Sequence, residues 1–149
     1  MRIYVWLLLA LAALGVSAQT DPWSSSDLMQ PAALAARLNH SGPKPMILYV
    51  GFPVLYHPGH IPGAQLAGPA SKAQGLEQLR DLVAKLPRDT EIVIYCGCCP
   101  WDHCPNVRPA FRALHDMGFS RVHVLTIPTN MTKDWIEKGY PIDRAVPRQ

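Results

Sequence analysis

The sequence has almost no excess of charge of one sign. Its 14 lysines and arginines and 11 aspartates and glutamates leave a formal net charge of +3, and the charged residues are scattered along the chain. Proteins that bind nucleic acid or an anionic membrane by electrostatic attraction carry a concentrated basic surface. We therefore expect no nucleic-acid partner and no charge-driven membrane binding.

The sequence also lacks an apolar run long enough to cross a bilayer. The longest, residues 3–14, is about a dozen residues, against the ~20 that a transmembrane helix needs. Arg2 precedes this run and the small residues Val16, Ser17 and Ala18 follow it, a pattern typical of a cleaved signal peptide over residues 1–18. We expect an exported protein, periplasmic or secreted, without a membrane span after cleavage; an uncleaved anchor is the alternative. The polar residues 19–27 are expected to form a flexible mature N-terminus.

No cysteine lies outside one short stretch. All four, Cys96, Cys98, Cys99 and Cys104, fall within nine residues. Exported cysteines usually pair, but a disulfide stabilises a fold most when it closes a long loop. Disulfides within this cluster would cross-link very little of the chain, so the clustering favours a chemical role.

The hydrophobic pattern predicts strands that alternate with helices. The predicted strands are 46–50, 92–95 and 122–125, the predicted helices are 31–38, 76–86, 107–117 and 133–138, and the segment 51–68 is predicted to be loop. Such alternation indicates an α/β fold with a mainly parallel central sheet covered by helices on both faces.

The cysteine cluster follows the strand 92–95 and precedes the helix that begins near Val107, with Asn106 as a candidate N-cap. In α/β folds, ligands bind beyond the carboxyl ends of the strands, where helix N-termini also point. Backbone N–H groups and the helix dipole at such a place stabilise a thiolate. Cys96 leaves the strand first and Gly97 permits a sharp turn, so we predict that Cys96 is the nucleophile.

Several motifs resemble the rhodanese-like domain, a sulfurtransferase family. Residues 59–64 read Gly-His-Ile-Pro-Gly-Ala, similar to a signature of that family, and the strand ending in Cys96 matches the position of its active cysteine. Gly118-Phe119, and Trp135 followed by Gly139-Tyr140-Pro141, match its later motifs in order. The resemblance implies a rhodanese-like domain over residues 28–142, followed by a C-terminal tail, 143–149.

The resemblance implies that Cys96 takes a sulfur atom from a small donor, such as thiosulfate or a persulfide, and holds it as a persulfide. A thiol or a thioredoxin-like protein would then accept the sulfur, and no cofactor is needed. Backbone amides of the loop would hold the anionic outer sulfur. The implied substrate-binding loop consists of Gly97, Cys98, Cys99, Pro100, Trp101, Asp102, His103 and Cys104.

The chain departs from the family pattern in ways that leave the donor open. The loop is longer than the common form, and no arginine follows Cys96 until Arg108. Tyr49 and Gly51 replace a family aspartate and arginine. Asp102 stands six positions after Cys96, where phosphatases of the same superfamily carry an arginine, and its negative charge would repel a phosphate.

Three roles remain open for Cys98, Cys99 and Cys104. They could form a structural disulfide or resolve an oxidised Cys96, or they could assist sulfur transfer as free thiols. Alternatively, the same fold could serve as a redox module or bind copper or zinc. The metal ligands in that alternative would be Cys96, Cys98, Cys99, His103 and Cys104.

Three other side chains each have a structural and a functional interpretation. His103 either pairs with Cys96 and lowers its pKa or is simply exposed to solvent. Trp101 either walls the pocket or packs the loop onto the domain. His60 is expected mainly to hold its own loop by hydrogen bonds.

Overall fold

A computed structural model describes residues 21–144 of the 149-residue chain. The predicted signal peptide, 1–18, and the last residues of the predicted tail, 145–149, lie outside the described residues. Within the described part, no helix has both the length and the apolar character needed to cross a membrane.

The centre of the molecule is a five-stranded parallel sheet. Its strands stand in the order β1-β5-β4-β2-β3, and every pairing is parallel. The strands are β1 (Leu28–Met29), β2 (Met46–Tyr49), β3 (Gln65–Leu66), β4 (Ile92–Tyr95) and β5 (Val122–Leu125). The predicted α/β class and parallel sheet are confirmed.

Helices cover both faces of the sheet. They are α1 (Pro31–Asn39), α2 (Pro53–Tyr56), α3 (Ala73–Val83) and α4 (Val107–Asp116). Two 3₁₀ turns, Ser25–Asp27 and Trp101–His103, and a π-helical turn, Thr132–Ile136, complete the structure.

The central strand β4 shows why the sequence carries uninterrupted apolar runs. Ile92 and Ile94 belong to the core cluster formed with α3 and α4, whereas Val93 and Tyr95 belong to the cluster formed with α1 and Trp135. All four residues of β4 are buried. A parallel strand covered on both faces must be apolar at every position, which places the end of β4 at the centre of the domain.

The structure differs from the predicted secondary structure in several places. The predicted loop 51–68 contains α2 and β3, because β3 adds to the edge of β2 by pairing Gln65 with Leu48. The predicted helix 133–138 is a π-helical turn, and α3 ends at Val83 rather than continuing to 86.

Two residues of the stretch 21–27, for which the sequence predicts a flexible segment, contact the rest of the domain. The Trp23 ring lies 5.5 Å from the Trp101 ring and 5.7 Å from the Phe111 ring, measured between centroids. Arg108 Nε donates to Asp21 at 2.9 Å. The apolar area of one tryptophan therefore fixes a stretch whose composition is otherwise polar.

Candidate functional site

The candidate site begins where β4 ends. Cys96 follows Tyr95 directly, and Gly97 then adopts a left-handed conformation, φ +75°, which favours glycine. The Gly97 carbonyl accepts a hydrogen bond from Met131 N at 2.9 Å. A Cβ at position 97 would lie 3.0 Å from Met131 Cβ, so the turn needs glycine both for its conformation and for space.

The loop after Gly97 folds back onto the domain through Trp101. Trp101 N donates to the Ile127 carbonyl at 3.0 Å, and the ring packs against Trp23. The packing interpretation of Trp101 therefore describes the structure, since this ring is not part of the pocket wall. From this contact, the chain leads through Cys104 into α4, which begins at Val107.

The fold brings three of the four sulfur atoms together. Sγ of Cys96, Cys98 and Cys104 all lie within 4.8 Å of one another, and the Cys96–Cys98 Sγ distance is 3.2 Å. Cys96 and Cys104 are buried, at 3% and 1% exposure, while Cys98 is exposed. Cys99 lies outside this group, although its Sγ is 3.2 Å from that of Cys98.

Asn106 touches the sulfur group from the start of α4. Its Nδ2 donates to Cys96 Sγ at 3.5 Å, and its Oδ1 accepts from Ser71 N at 2.9 Å. The residue is 1% exposed. Asn106 does occupy the predicted N-cap position, but its side chain makes no capping hydrogen bond. It binds Cys96 and the segment before α3 instead.

The surroundings of the two buried thiols favour a thiolate on Cys104 over one on Cys96. The Cys96 thiol as a donor, followed by the backbone N–H groups of Asn106 and Val107, lowers the pKa of Cys104 to about 6. In turn, the adjoining Cys104 sulfur and burial raise the pKa of Cys96. The sequence predicted a cradle of amides around Cys96. The longer loop brings Cys104, its last residue, close to the first residues of α4, and the lowered pKa is found at this thiol.

His103 does not pair with Cys96. Its side chain is 81% exposed, and its Nδ1 lies 3.0 Å from Asp102 Oδ1. The hypothesis that His103 lowers the pKa of Cys96 is wrong for this geometry, because the 3₁₀ turn Trp101–His103 directs the imidazole to solvent. His103 also stands apart from the grouped sulfur atoms.

A pocket of about 400 Å³ opens beside the sulfur group. Of the predicted loop residues, Gly97 and Cys98 line it together with Cys96, whereas residues 99–104 do not. The other lining residues come from four segments that the sequence analysis did not assign to the site. These are Tyr49 and Tyr95 at the strand ends, Leu55, Pro58 and Gly59 after β2, and Asn130, Met131, Thr132, Lys133 and Ile136 near the C-terminus.

Tyr49 and Gly51, which replace the charged pair of the family pattern, both lie against Cys96. A Cβ at Gly51 would stand 2.7 Å from Cys96 Sγ and 2.7 Å from the Tyr49 hydroxyl. Burial, followed by the nearby thiols, raises the pKa of Tyr49 above its usual value, so the hydroxyl stays neutral and donates to the Phe52 carbonyl at 3.2 Å. The site is thus crowded, and none of the described residues that line the pocket is an arginine.

His60 belongs to the support of the pocket rather than to its wall. Its ring stacks on Tyr56 with 3.9 Å between centroids, and its Nδ1 lies 3.1 Å from the Tyr56 carbonyl. Its backbone pairs with Asp143 in both directions, at 2.9 Å. This agrees with the expectation that His60 holds its loop.

Comparison with known proteins points to one family. The family model described as the rhodanese-like domain matches residues 30–126. The structure resembles that of the Alr3790 protein from Anabaena sp., at 24% identity and a TM-score of 0.61, covering 79% of this chain and 93% of that one.

Two further solved structures show the same architecture. The BH2092 protein from Bacillus halodurans is 21% identical, with a TM-score of 0.62 over 80% of this chain and 77% of that one. A single-domain sulfurtransferase from Saccharomyces cerevisiae is 17% identical, with a TM-score of 0.54 over 76% and 90%. No curated protein sequence matches the chain. At these identities the structural likenesses establish the fold.

Proposed function

The chain belongs to the rhodanese-like domain family, and on this premise we propose that it is a sulfurtransferase that carries sulfur as a persulfide on Cys96. The observation that supports this role most directly is the place of Cys96. It leaves the central strand, lines the pocket, and touches both a side-chain donor, Asn106, and a low-pKa thiol, Cys104.

The Cys96 sulfur attacks the outer sulfur of the donor, and its proton passes to Cys104 in the same step. The transfer accompanies the attack because burial and the adjoining Cys104 sulfur raise the pKa of Cys96. Cys104 is the acceptor because its sulfur lies beside that of Cys96 and its own pKa is lowered to about 6. The donor's S–S bond breaks, and with thiosulfate the leaving group is sulfite.

The second half-reaction returns the enzyme to its starting state. An acceptor thiolate attacks the outer sulfur of the Cys96 persulfide, the persulfide S–S bond breaks, and the leaving Cys96 sulfur takes its proton back from Cys104. The acceptor then carries the sulfur as its own persulfide. No net oxidation occurs, so no cofactor is needed.

The pocket supports an anionic donor. Lys133 supplies a cation to the wall, and Asn130 and Thr132 add polar groups beside it. Lys133 also lies 3.1 Å from Glu137, so part of its charge is already compensated. A small anion such as thiosulfate fits a pocket of about 400 Å³ with room to spare.

The surface around the pocket supports a protein thiol as acceptor, such as a thioredoxin-like partner. The exposed large hydrophobic residues of the described chain are Phe52, Val54, Leu55 and Ile136. Leu55 and Ile136 line the pocket, and the other two belong to the same turn as Leu55. Exposed apolar side chains at the pocket that holds a reactive thiol form a surface suited to contact with another protein. We further propose that this takes place after export, periplasmic or secreted, a proposal that depends on the leader sequence alone.

Mass spectrometry of the intact protein tests the persulfide. We expect incubation of the reduced chain with thiosulfate to add one sulfur atom, which a thiol acceptor then removes. Cys96→Ser should show no adduct, while Cys99→Ser, which removes a thiol outside the pocket, should still show it. Persistence of the adduct in Cys96→Ser, or an unmodified mass with thiosulfate and with an organic persulfide, would overturn the proposal.

A second candidate function is thiol–disulfide exchange, favoured by the 3.2 Å between Cys96 and Cys98 Sγ. Here the Cys98 thiolate attacks the inner sulfur of the Cys96 persulfide, a Cys96–Cys98 disulfide forms, and hydrosulfide leaves. The measurement is hydrosulfide released from the loaded protein without any added thiol. Release that Cys98→Ser abolishes supports this route, and a stable persulfide in the wild-type protein excludes it.

A further inference from the structure

We propose that Cys96, Cys98 and Cys104 form a binding site for Cu(I). The three sulfur atoms converge from both ends of the loop, and all lie within 4.8 Å of one another. This goes beyond the proposed sulfur transfer, with which it shares Cys96 as the sulfur carrier and Cys104 as the proton acceptor.

The distances suit a three-coordinate ion. Three sulfur ligands about 2.3 Å from one ion stand about 4 Å from each other. In the structure, the Cys96–Cys98 Sγ distance is 3.2 Å and the upper bound for the group is 4.8 Å, so shifts of less than about 1 Å bring all three to that spacing.

The ligand set favours Cu(I) over Zn(II). Soft thiolates select Cu(I), whereas a structural zinc site takes four ligands in a tetrahedron. The fourth ligand considered from the sequence, His103, is 81% exposed and faces Asp102. Cys99 interacts with Cys98 and Cys104, but it does not belong to the group whose sulfur atoms all lie within 4.8 Å of one another. The site therefore offers three sulfur ligands.

The surroundings also suit a monovalent soft ion. Cys96 and Cys104 are buried, and Cys98 is exposed at the pocket, so the ion would enter from the pocket side and be held against the core. Asn106 Nδ2 donates to Cys96 Sγ and thereby orients one ligand from outside the coordination sphere. The cysteines that carry a proton lose it to solvent on binding, and the copper stays Cu(I) throughout.

The test is a competition titration of the reduced full-length chain under anaerobic conditions against a chromophoric Cu(I) chelator. We expect one Cu(I) per chain, with thiolate-to-copper charge-transfer absorption. Cys98→Ser and Cys104→Ser should each weaken binding on the order of 100-fold or more, while Cys99→Ser and His103→Ala retain wild-type affinity. Circular dichroism of each variant confirms that it is folded, and the exposed Cys98 provides a variant that leaves the core intact.

Several results would overturn the site. They are wild-type affinity in both Cys98→Ser and Cys104→Ser, loss of affinity in Cys99→Ser or His103→Ala, or tight binding of Zn(II) without Cu(I). The titration contains no sulfur donor, and the mass experiment above contains no copper, so either proposal can fail alone. If both hold, one equivalent of Cu(I) should block loading of sulfur onto Cys96.

Discussion

The two ends of the central sheet differ in their ionisable groups and in the partners of those groups. At the amino end, Glu91 precedes β4 and binds Arg37 through two hydrogen bonds, at 2.6 and 2.8 Å. Arg121 lies 3.2 Å and His123 3.6 Å from the same carboxylate. At the carboxyl end, the buried thiols of Cys96 and Cys104 adjoin, and the Cys96 thiol, followed by the backbone N–H groups of Asn106 and Val107, lowers the pKa of Cys104.

We infer that the amino end of the sheet contributes mainly to stability and the carboxyl end mainly to chemistry. A carboxylate surrounded by cations stays ionised and unreactive, and its loss costs folding free energy. At the carboxyl end the nucleophile Cys96 lies beside a thiol of lowered pKa, Cys104, and perturbed groups of this kind mark functional sites. Changes at the carboxyl end should therefore alter rates, and changes at the amino end should alter stability.

The largest effect is expected at the carboxyl end, from Cys104→Ser. This change removes the proton acceptor of Cys96, so the rate of persulfide formation at neutral pH should fall on the order of 100-fold. Stopped reactions analysed by intact mass give the rate, and thermal unfolding shows whether the variant is folded. A folded variant with the wild-type rate would show that Cys96 does not depend on Cys104.

The next largest effect is expected from Gly51→Ala, which adds a methyl group beside Cys96. In Gly51→Ala, the new Cβ would lie 2.7 Å from Cys96 Sγ and from the Tyr49 hydroxyl, so the sulfur must move. We expect transfer to fall roughly tenfold, with about 1–3 kcal/mol lost from the free energy of unfolding.

Gly42→Ala is the matched control for this change, because nothing lies within 4 Å of the Cβ it would add. Kinetic assays and urea unfolding of both variants make the comparison. Equal behaviour of the two would contradict the crowding around Cys96.

A smaller effect, of the opposite kind, is expected from Glu91→Gln at the amino end. It should lower the free energy of unfolding by about 1 kcal/mol and leave sulfur transfer unchanged. The hydrogen bonds and charge of Arg37 hold the pKa of Glu91 below its usual value of 4.5. The stabilisation is therefore complete above pH 4.5 and is lost as the pH falls through the lower folded-state pKa.

Urea unfolding of the wild-type protein and of Glu91→Gln, from neutral to acid pH, measures the contribution of Glu91 to the free energy of unfolding. The difference between them should shrink as the pH falls below 4.5. A constant difference, or a change in transfer rate at neutral pH, would break the division between the two ends of the sheet.

The smallest effect is expected from His103→Ala. The imidazole is 81% exposed and faces Asp102, so we expect unfolding free energy within about 0.5 kcal/mol of wild type and less than a twofold change in rate. Both are read from the assays already described. A large loss of rate would restore the pairing of His103 with Cys96 that the sequence suggested.

The sequence predicted the elements that define the fold better than the walls of the site. The bounds of β4 and β5 are as predicted, because buried strands are continuous apolar runs. Met131 and Lys133 were missed, since nothing local distinguishes a residue that returns to the pocket from 30 or more positions away. Asn106 does stand at the predicted N-cap position, but its side chain contacts Ser71 and Cys96, which local sequence does not reveal.

The sequence by itself was enough to indicate the family, the parallel sheet and the cysteine that follows its central strand. These depend on the spacing of apolar residues, the positions of glycines and the order of motifs, all of which can be read along the chain. The tertiary structure alone decided which sulfur atom receives the helix amides, which three sulfur atoms converge, and that His103 turns away. These depend on directions in space, and a long loop can deliver its last cysteine to a helix N-terminus without any trace of that in residue spacing.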